Sequence, residues 1–156
     1  FEDLEDLANR IDSEDLNVTK DSILLLRNIG PIGAPGMPEA GLIPIPKKLA
    51  RQGVKDMVRI SDGRMSGTAS GTIILHVCPE AAVGGTLNIV ETGDLIRLDV
   101  INRSIELLLS NEEISLRKSK KPLKKNIKRR GYNKLFYDEV LQADKGVDFK
   151  FLRPID

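Results

Sequence analysis

Residues 57–77, MVRISDGRMSGTASGTIILHV, place two apolar runs on either side of Ser61–Gly71, a stretch with three serines, three glycines, one aspartate and one arginine. Such small and polar residues are poor core formers, so SDGRMSGTASG is either an exposed turn or a site. MVRIS and TIILHV read as strands around it. Upstream, PKKLARQGV predicts a short helix ending near Gly53. Before that, NIGPIGAPGMPEAGLIPIP carries five prolines and four glycines in 19 residues. That density rules out a continuous helix or central strand and predicts a long, shaped loop. SILLLRN reads as a buried strand. In FEDLEDLANRI, Phe1, Leu4, Leu7, Ala8 and Ile11 recur at helical spacing.

Downstream, PEAAVGG predicts a brief helical turn stopped by paired glycines. LNIV, LIRLDV and SIELLL predict a three-stranded antiparallel meander, in which Ile96, Leu98 and Val100 share one face of their strand and Ile105, Leu107 and Leu109 one face of theirs. Ser110 and Glu113 form a capping box that opens a helix. YNKLFYDEVLQADKG predicts a last helix stopped at Gly146, followed by an extended tail. The expected class is α/β, a mixed, curved sheet or barrel with helices at its periphery.

At 156 residues the chain fits one domain, residues 1–156, and is long enough to bury a core. Its 40% apolar and 30% charged residues, with a net charge of +1, describe a soluble globular protein. There is no run of 18 apolar residues and the N-terminus is acidic, so no membrane contact and a cytoplasmic location are expected. The sequence opens on Phe1, and a fragment of a longer protein is expected. One cysteine, Cys78, excludes an internal disulfide and any all-cysteine metal site built from this chain alone. Arg117–Arg130 (RKSKKPLKKNIKRR) holds nine basic residues and no acid, leaving 15 of the 24 basic residues against 23 acidic ones elsewhere.

A serine hydrolase requires Gly-x-Ser-x-Gly, but Gly63-Arg64-Met65-Ser66-Gly67 and Gly67-Thr68-Ala69-Ser70-Gly71 both place the serine one position late. The single histidine, His76, lies in the apolar run TIILHV, where a core or sheet-end role is favoured over a triad. GPIGAPG is neither a dinucleotide fingerprint nor a Walker A sequence, and Pro31 and Pro35 remove donors a phosphate cradle would use. The prolines provide rigidity instead, which suits a loop that fixes one side chain. Glu39, the only acid between Asp21 and Asp56, is the candidate, against the plainer reading of a solvated glutamate. Cys78 reads as a small buried packing residue. The basic belt contains no aromatic residue for base stacking, so a solvated linker is preferred. A stand-alone module contacting nucleic acid through residues 117–130 is the alternative.

Three segments together resemble one family. GPIGAPGMPEAGLIPIPKKLARQGVKDMVRISDGRMSGTASGTIILHVCPEAAVGG is similar, almost without gaps, to the C-terminal domain of the dihydroxy-acid and sugar-acid dehydratases, the iron-sulfur lyases that include phosphogluconate dehydratase. LNIVETGDLIRLDVINRSIELLLSNEEISLRK and RGYNKLFYDEVLQADKGVDFKFL match the following parts. GxPGMPE and DGRMSG are the most specific pieces. SGTASGTIILHV, PIPKKL and VLQAD lean toward the sugar-acid branch.

The resemblance implies a swivelling β/β/α domain, a small mixed barrel flanked by helices. It implies removal of water from a 2,3-dihydroxy acid to give a 2-keto acid, with an iron-sulfur cluster and Mg²⁺ as cofactors. By the same resemblance Ser66 is the base, Glu39 a Mg²⁺ ligand, and Arg64 and Thr68 orient the substrate or the serine. The cluster cysteines and other Mg²⁺ ligands are expected in an N-terminal domain, without which this chain is expected to be inactive. A homodimer or higher oligomer is expected of the full-length protein.

Overall fold

A computed structural model describes residues 1–121, 123 and 130–153. Helix α1 (Leu4–Arg10) starts where the Asp3 carboxylate accepts from the Asp6 amide, and it buries Leu7. Three short strands follow, β1 (Leu24–Leu26), β2 (Arg59–Ser61) and β3 (Ile73–Ile74), with α2 (Lys47–Ala50) between the first two. They form one parallel sheet with β2 in the middle, Leu25 opposite Ile60 and Ile60 opposite Ile74. Strand β2 is buried along its whole length, as expected of a parallel strand covered on both faces.

The two faces separate by alternation. Leu24 and Leu26 join Leu7, Ile11, Ile29, Ile43, Leu49, Met57 and Met65 in one apolar cluster. Leu25, Ile60, Val58 and Ile74 meet Ala81 and Leu87 in the other. Complete burial of a side chain such as Ile60 stabilises by about 1.5–3 kcal/mol.

The first apolar runs therefore form as read, but the meander does not. Residues Thr86–Ile89 are a 3₁₀ turn. The reason is Arg27, whose Nη1 donates to the carbonyls of Leu87, Asn88 and Val90 at 2.8, 3.0 and 2.9 Å. Three carbonyls converging on one nitrogen require a curved backbone. Only β4 (Ile96–Asp99) and β5 (Ser104–Leu107) pair, antiparallel, with Ile96 opposite Leu107 and Leu98 opposite Ile105. The two sheets stay separate, and among the described residues no barrel closes. The class is mixed α/β.

Helix α3 (Asn111–Lys120) has Ser110 as its cap, accepting from the Glu113 amide at 3.2 Å. The return half of the box is absent because the Glu113 carboxylate accepts from Arg117 at 2.8 Å. Helix α4 (Gly131–Glu139) ends earlier than predicted: Val140 bridges to Phe149, while Gly146 closes a separate 3₁₀ turn at Ala143–Lys145. The tail is a further 3₁₀ turn, Lys150–Leu152, rather than extended chain. Of the basic belt, residues 122 and 124–129 lie outside the described residues. No helix among the described residues is long and apolar enough to cross a membrane.

Candidate active site

All three strands of the parallel sheet point the same way, so the loops leaving β1, β2 and β3 gather at one edge, the carboxyl ends, where open parallel sheets bind ligands. The β1 loop carries Glu39, the β2 loop carries Arg64, Ser66 and Thr68, and the β3 loop carries His76 and Glu80. The β2 loop is also the whole crossover to β3. Eleven residues, 62–72, return a parallel chain without a helix, fewer than such a connection usually takes. Short strands make this possible.

Two backbone hydrogen bonds join the Glu39 and Ser66 loops: the Ala40 amide donates to the Arg64 carbonyl at 3.0 Å, and the Ser66 amide donates to the Gly41 carbonyl at 2.8 Å. Arg64 Nε adds a third tie, donating to the Met37 carbonyl at 2.8 Å. Met37 sits at φ 49°, a left-handed backbone that a non-glycine residue adopts only where its surroundings hold it. Its side chain is buried, which supplies that hold. Thus Glu39 lies one residue before, and Ser66 directly on, a fixed double strand of loop.

The Ser66 hydroxyl is half-buried and lies 2.9 Å from the Thr68 hydroxyl, with the Thr68 amide donating to it at 3.3 Å. Glu39 is exposed, and its carboxylate has no partner among the described residues. Arg64 is exposed, and beyond the Met37 tie its terminal guanidinium nitrogens are free. The structure therefore brings Glu39, Arg64, Ser66 and Thr68 to one edge.

His76 is exposed, two residues beyond β3, at φ 55°. It is neither core nor triad; its amide donates to the Gly63 carbonyl at 3.1 Å. Cys78 is half-buried rather than buried, and its thiol donates to the Asp144 carboxylate at 3.0 Å. Burial first, and then that carboxylate, push the thiol pKa up, so it is held protonated.

Two buried carboxylates that sequence reading passed over organise this edge. Asp62, fully buried, accepts from the amides of Asn28, Ile29 and Ala81 at 3.0, 3.1 and 2.9 Å. Glu80, equally buried, accepts from the amides of Ile32 and Gly33, each at 2.8 Å. GPIGAPG is thus an anion cradle after all, filled by a carboxylate of its own chain. Gly30 and Gly33 are packing residues: a Cβ on Gly30 would lie 2.6 Å from Glu80 Oε2, and one on Gly33 2.5 Å from the Asn28 backbone. For Asp62 the available signal was an acid directly after the apolar run MVRIS, which a core tolerates only with several donors.

Arg59, a buried cation, donates to the Ile43 and Met57 carbonyls at 2.7 and 3.0 Å and to Asp56 at 2.9 Å. Its guanidinium, followed by the Thr72 donors, holds the Asp56 carboxyl below the usual aspartate range.

Among the described residues no three His, Cys, Asp or Glu side chains gather as a metal site. At this edge the exposed Glu39 carboxylate offers a hard oxygen donor, which fits one ligand of a cation such as Mg²⁺. The one thiol, engaged by Asp144, does not fit an iron-sulfur cluster.

The chain is similar to known proteins along nearly its whole length. The 6-deoxy-6-sulfo-D-gluconate dehydratase of Pseudomonas putida is 48% identical over 98% of this chain, covering 26% of that protein. The L-arabinonate dehydratase of Rhizobium leguminosarum is 44% identical over 98% of this chain and 26% of its own length. The dihydroxy-acid dehydratase of Archaeoglobus fulgidus is 41% identical over 85% of this chain and 24% of its own. The chain thus spans about a quarter of the length of these curated relatives. A family match covers residues 1–147, and the loops it includes are the ones that interlock at the sheet edge, so the chain belongs to the dihydroxy-acid/6-phosphogluconate dehydratase C-terminal family.

Proposed function

We propose that this chain is the C-terminal domain, residues 1–156, of a hydro-lyase that removes water from 2,3-dihydroxy carboxylic acids to give 2-keto acids. It contributes Ser66 as the base and Glu39 as one Mg²⁺ ligand. The observation that carries this reading is the pair of backbone bonds holding Ala40 against Arg64 and Ser66 against Gly41. A carboxylate without a protein partner and a serine hydroxyl are thereby kept together on a rigid edge.

Dehydration needs a base for a weakly acidic proton and assistance for a poor leaving group. Bound Mg²⁺ would supply positive charge that favours ionisation of the substrate's carbon 2 and of a nearby hydroxyl. Ser66 Oγ, as the alkoxide, takes the proton from carbon 2 and becomes a hydroxyl. The electron pair forms the bond between carbons 2 and 3 as the carbon 3–oxygen bond breaks, the hydroxide leaves as water with the proton that Ser66 Oγ gives back, and the enol tautomerises to the 2-keto acid. Thr68 Oγ1 orients the serine oxygen, and the free guanidinium nitrogens of Arg64 bind the substrate's oxygens. The remaining Mg²⁺ ligands and the iron-sulfur cluster belong to the N-terminal part of the full-length protein, and no step through the cluster involves this chain's residues.

The higher identity to the sugar-acid relatives favours an aldonic acid over dihydroxy-isovalerate as substrate. The family resemblance supports the swivelling β/β/α class, a cytoplasmic location and a homodimer or higher oligomer. Nothing supports the nucleic-acid alternative, and at the start of the belt Arg117 is already engaged by Asp94 and Glu113.

The test is the full-length protein with Glu39→Gln, assayed on a panel of aldonic acids and dihydroxy-isovalerate while Mg²⁺ is titrated. Half-saturation should move to at least about tenfold higher Mg²⁺. An unchanged titration would remove Glu39 from the metal site, and turnover of none of these acids would remove the activity.

A further inference from the structure

The buried Glu80 carboxylate has a third donor, from far along the chain. Gln142 Nε2 donates to Glu80 Oε1 at 2.7 Å, while Gln142 Oε1 accepts from the Glu80 amide at 2.9 Å. Only this orientation of the carboxamide satisfies both bonds. Two residues on, Asp144 accepts from the Cys78 thiol. On the far side of the segment Val140 is buried and bridges to Phe149, and the Leu141 amide donates to the Asp148 carbonyl at 2.8 Å. Residues 140–149 thus form a closed turn pinned to the residues around Glu80. Glu80 in turn holds Ile32 and Gly33, at the start of the loop that carries Glu39. The links through Glu80 and Gln142 are hydrogen bonds between partly buried groups, where a missing partner is expensive.

We propose that the segment 140–149 is a strap that sets the position of the Glu39 loop through the Gln142–Glu80 pair, making Gln142 and Glu80 positioning residues for the metal ligand. The inference rests on Glu39 being that ligand, and it gives the turn at residues 140–149 a share in metal affinity.

The pair can be tested by exchanging its charge. Glu80→Gln alone, with its oxygen on the Ile32 and Gly33 amides and Gln142 Oε1 on the amide of residue 80, sets two NH₂ groups face to face at the 2.7 Å separation of the present bond. Gln142→Glu alone sets two carboxylates at the 2.7 Å separation of the present bond. In the double variant Glu80→Gln/Gln142→Glu, Gln at 80 keeps its oxygen on the loop amides and donates to the carboxylate at 142, which still accepts from the backbone of 80.

Full-length protein carrying each change is read by amide hydrogen exchange over residues 30–41 and by binding of Mn²⁺, followed by its paramagnetic resonance. Each single variant should speed exchange there about tenfold and weaken Mn²⁺ binding by roughly three- to tenfold. The exchanged pair should recover most of both losses. Gln142→Ala, which spares the buried carboxylate, keeps the test open where a charged single variant does not fold.

Faster exchange with weaker Mn²⁺ binding, restored by the exchange of charge, supports the strap. Folded single variants with unaltered exchange and binding overturn it, and so do losses that simply add in the double variant. Glu39→Gln is run alongside: if it weakens Mn²⁺ binding while the pair variants do not, only the strap fails. If Glu39→Gln leaves binding intact, the metal-ligand reading fails, and exchange over 30–41 still decides whether the strap holds the loop.

Discussion

Replacing Asp62 by asparagine keeps the size of the side chain and removes one of its two acceptor oxygens. In the native chain Oδ2 serves the Asn28 and Ala81 amides and Oδ1 serves Ile29, all within 3.1 Å. The best orientation of an asparagine keeps its oxygen on Asn28 and Ala81 and turns its NH₂ toward the Ile29 amide. Two donors then face each other in a site with no exposure. An unsatisfied buried amide costs about 1–3 kcal/mol, and the stranded NH₂ group costs a similar amount, so the loss is about 2–6 kcal/mol.

At the lower bound this is an increase of about 30-fold in opening. Amide exchange in full-length Asp62→Asn should show that acceleration at Ile29, spreading to Asn28 and Ala81. Turnover should fall as well, because Asp62 anchors the loop that carries Ser66 four residues on. Native exchange rates at all three amides would refute the claim that this carboxylate is their acceptor and that it locks the β1, β2 and β3 loops together.

Two glycines flanking the serine should respond oppositely. A Cβ on Gly63 would lie 2.4 Å from Ile29 Cγ1 and 2.8 Å from the Ile29 carbonyl, whereas one on Gly67 meets nothing within 4 Å. Gly63→Ala should therefore destabilise by about 1–3 kcal/mol in a urea titration, and Gly67→Ala by much less. Arg117 donates to Asp94 at 2.6 Å and to Glu113 at 2.8 Å, so Arg117→Met should lower the urea midpoint at pH 7. Burial raises the Asp94 carboxyl, but the Arg117 guanidinium and the Glu91 amide outweigh it and hold the pKa below the usual value. That contribution is complete above the ordinary aspartate range near pH 4 and is lost as pH falls through the lowered native value. Urea titrations of native and Arg117→Met protein should accordingly converge below about pH 4.

Much of the local structure was legible in the sequence. The periodicity of FEDLEDLANRI, the apolar SILLLRN and MVRIS, and the Ser110 cap each act over a few neighbouring residues, and each became the predicted element. The misses came from distant partners. LNIV has the composition of a strand, but Arg27, 60 residues before Leu87, bends its carbonyls around a guanidinium. TIILHV forms only a two-residue strand because His76 adopts a left-handed backbone as its amide reaches the Gly63 carbonyl. The candidate site divides in the same way. Motif resemblance singled out Glu39 and Ser66, and the proline loop announced its rigidity. Nothing in the local pattern says that Ala40 pairs with Arg64, or that two buried carboxylates bind five amides of neighbouring loops.

The most direct test of the proposed chemistry is turnover of the full-length protein with Ser66→Ala, measured beside its Mg²⁺ binding. Loss of a general base should lower kcat by at least about 10²-fold, while Mg²⁺ affinity stays within about twofold because Glu39 and its loop are untouched. Near-native turnover in that variant, with metal bound, would contradict the assignment of Ser66 as the base.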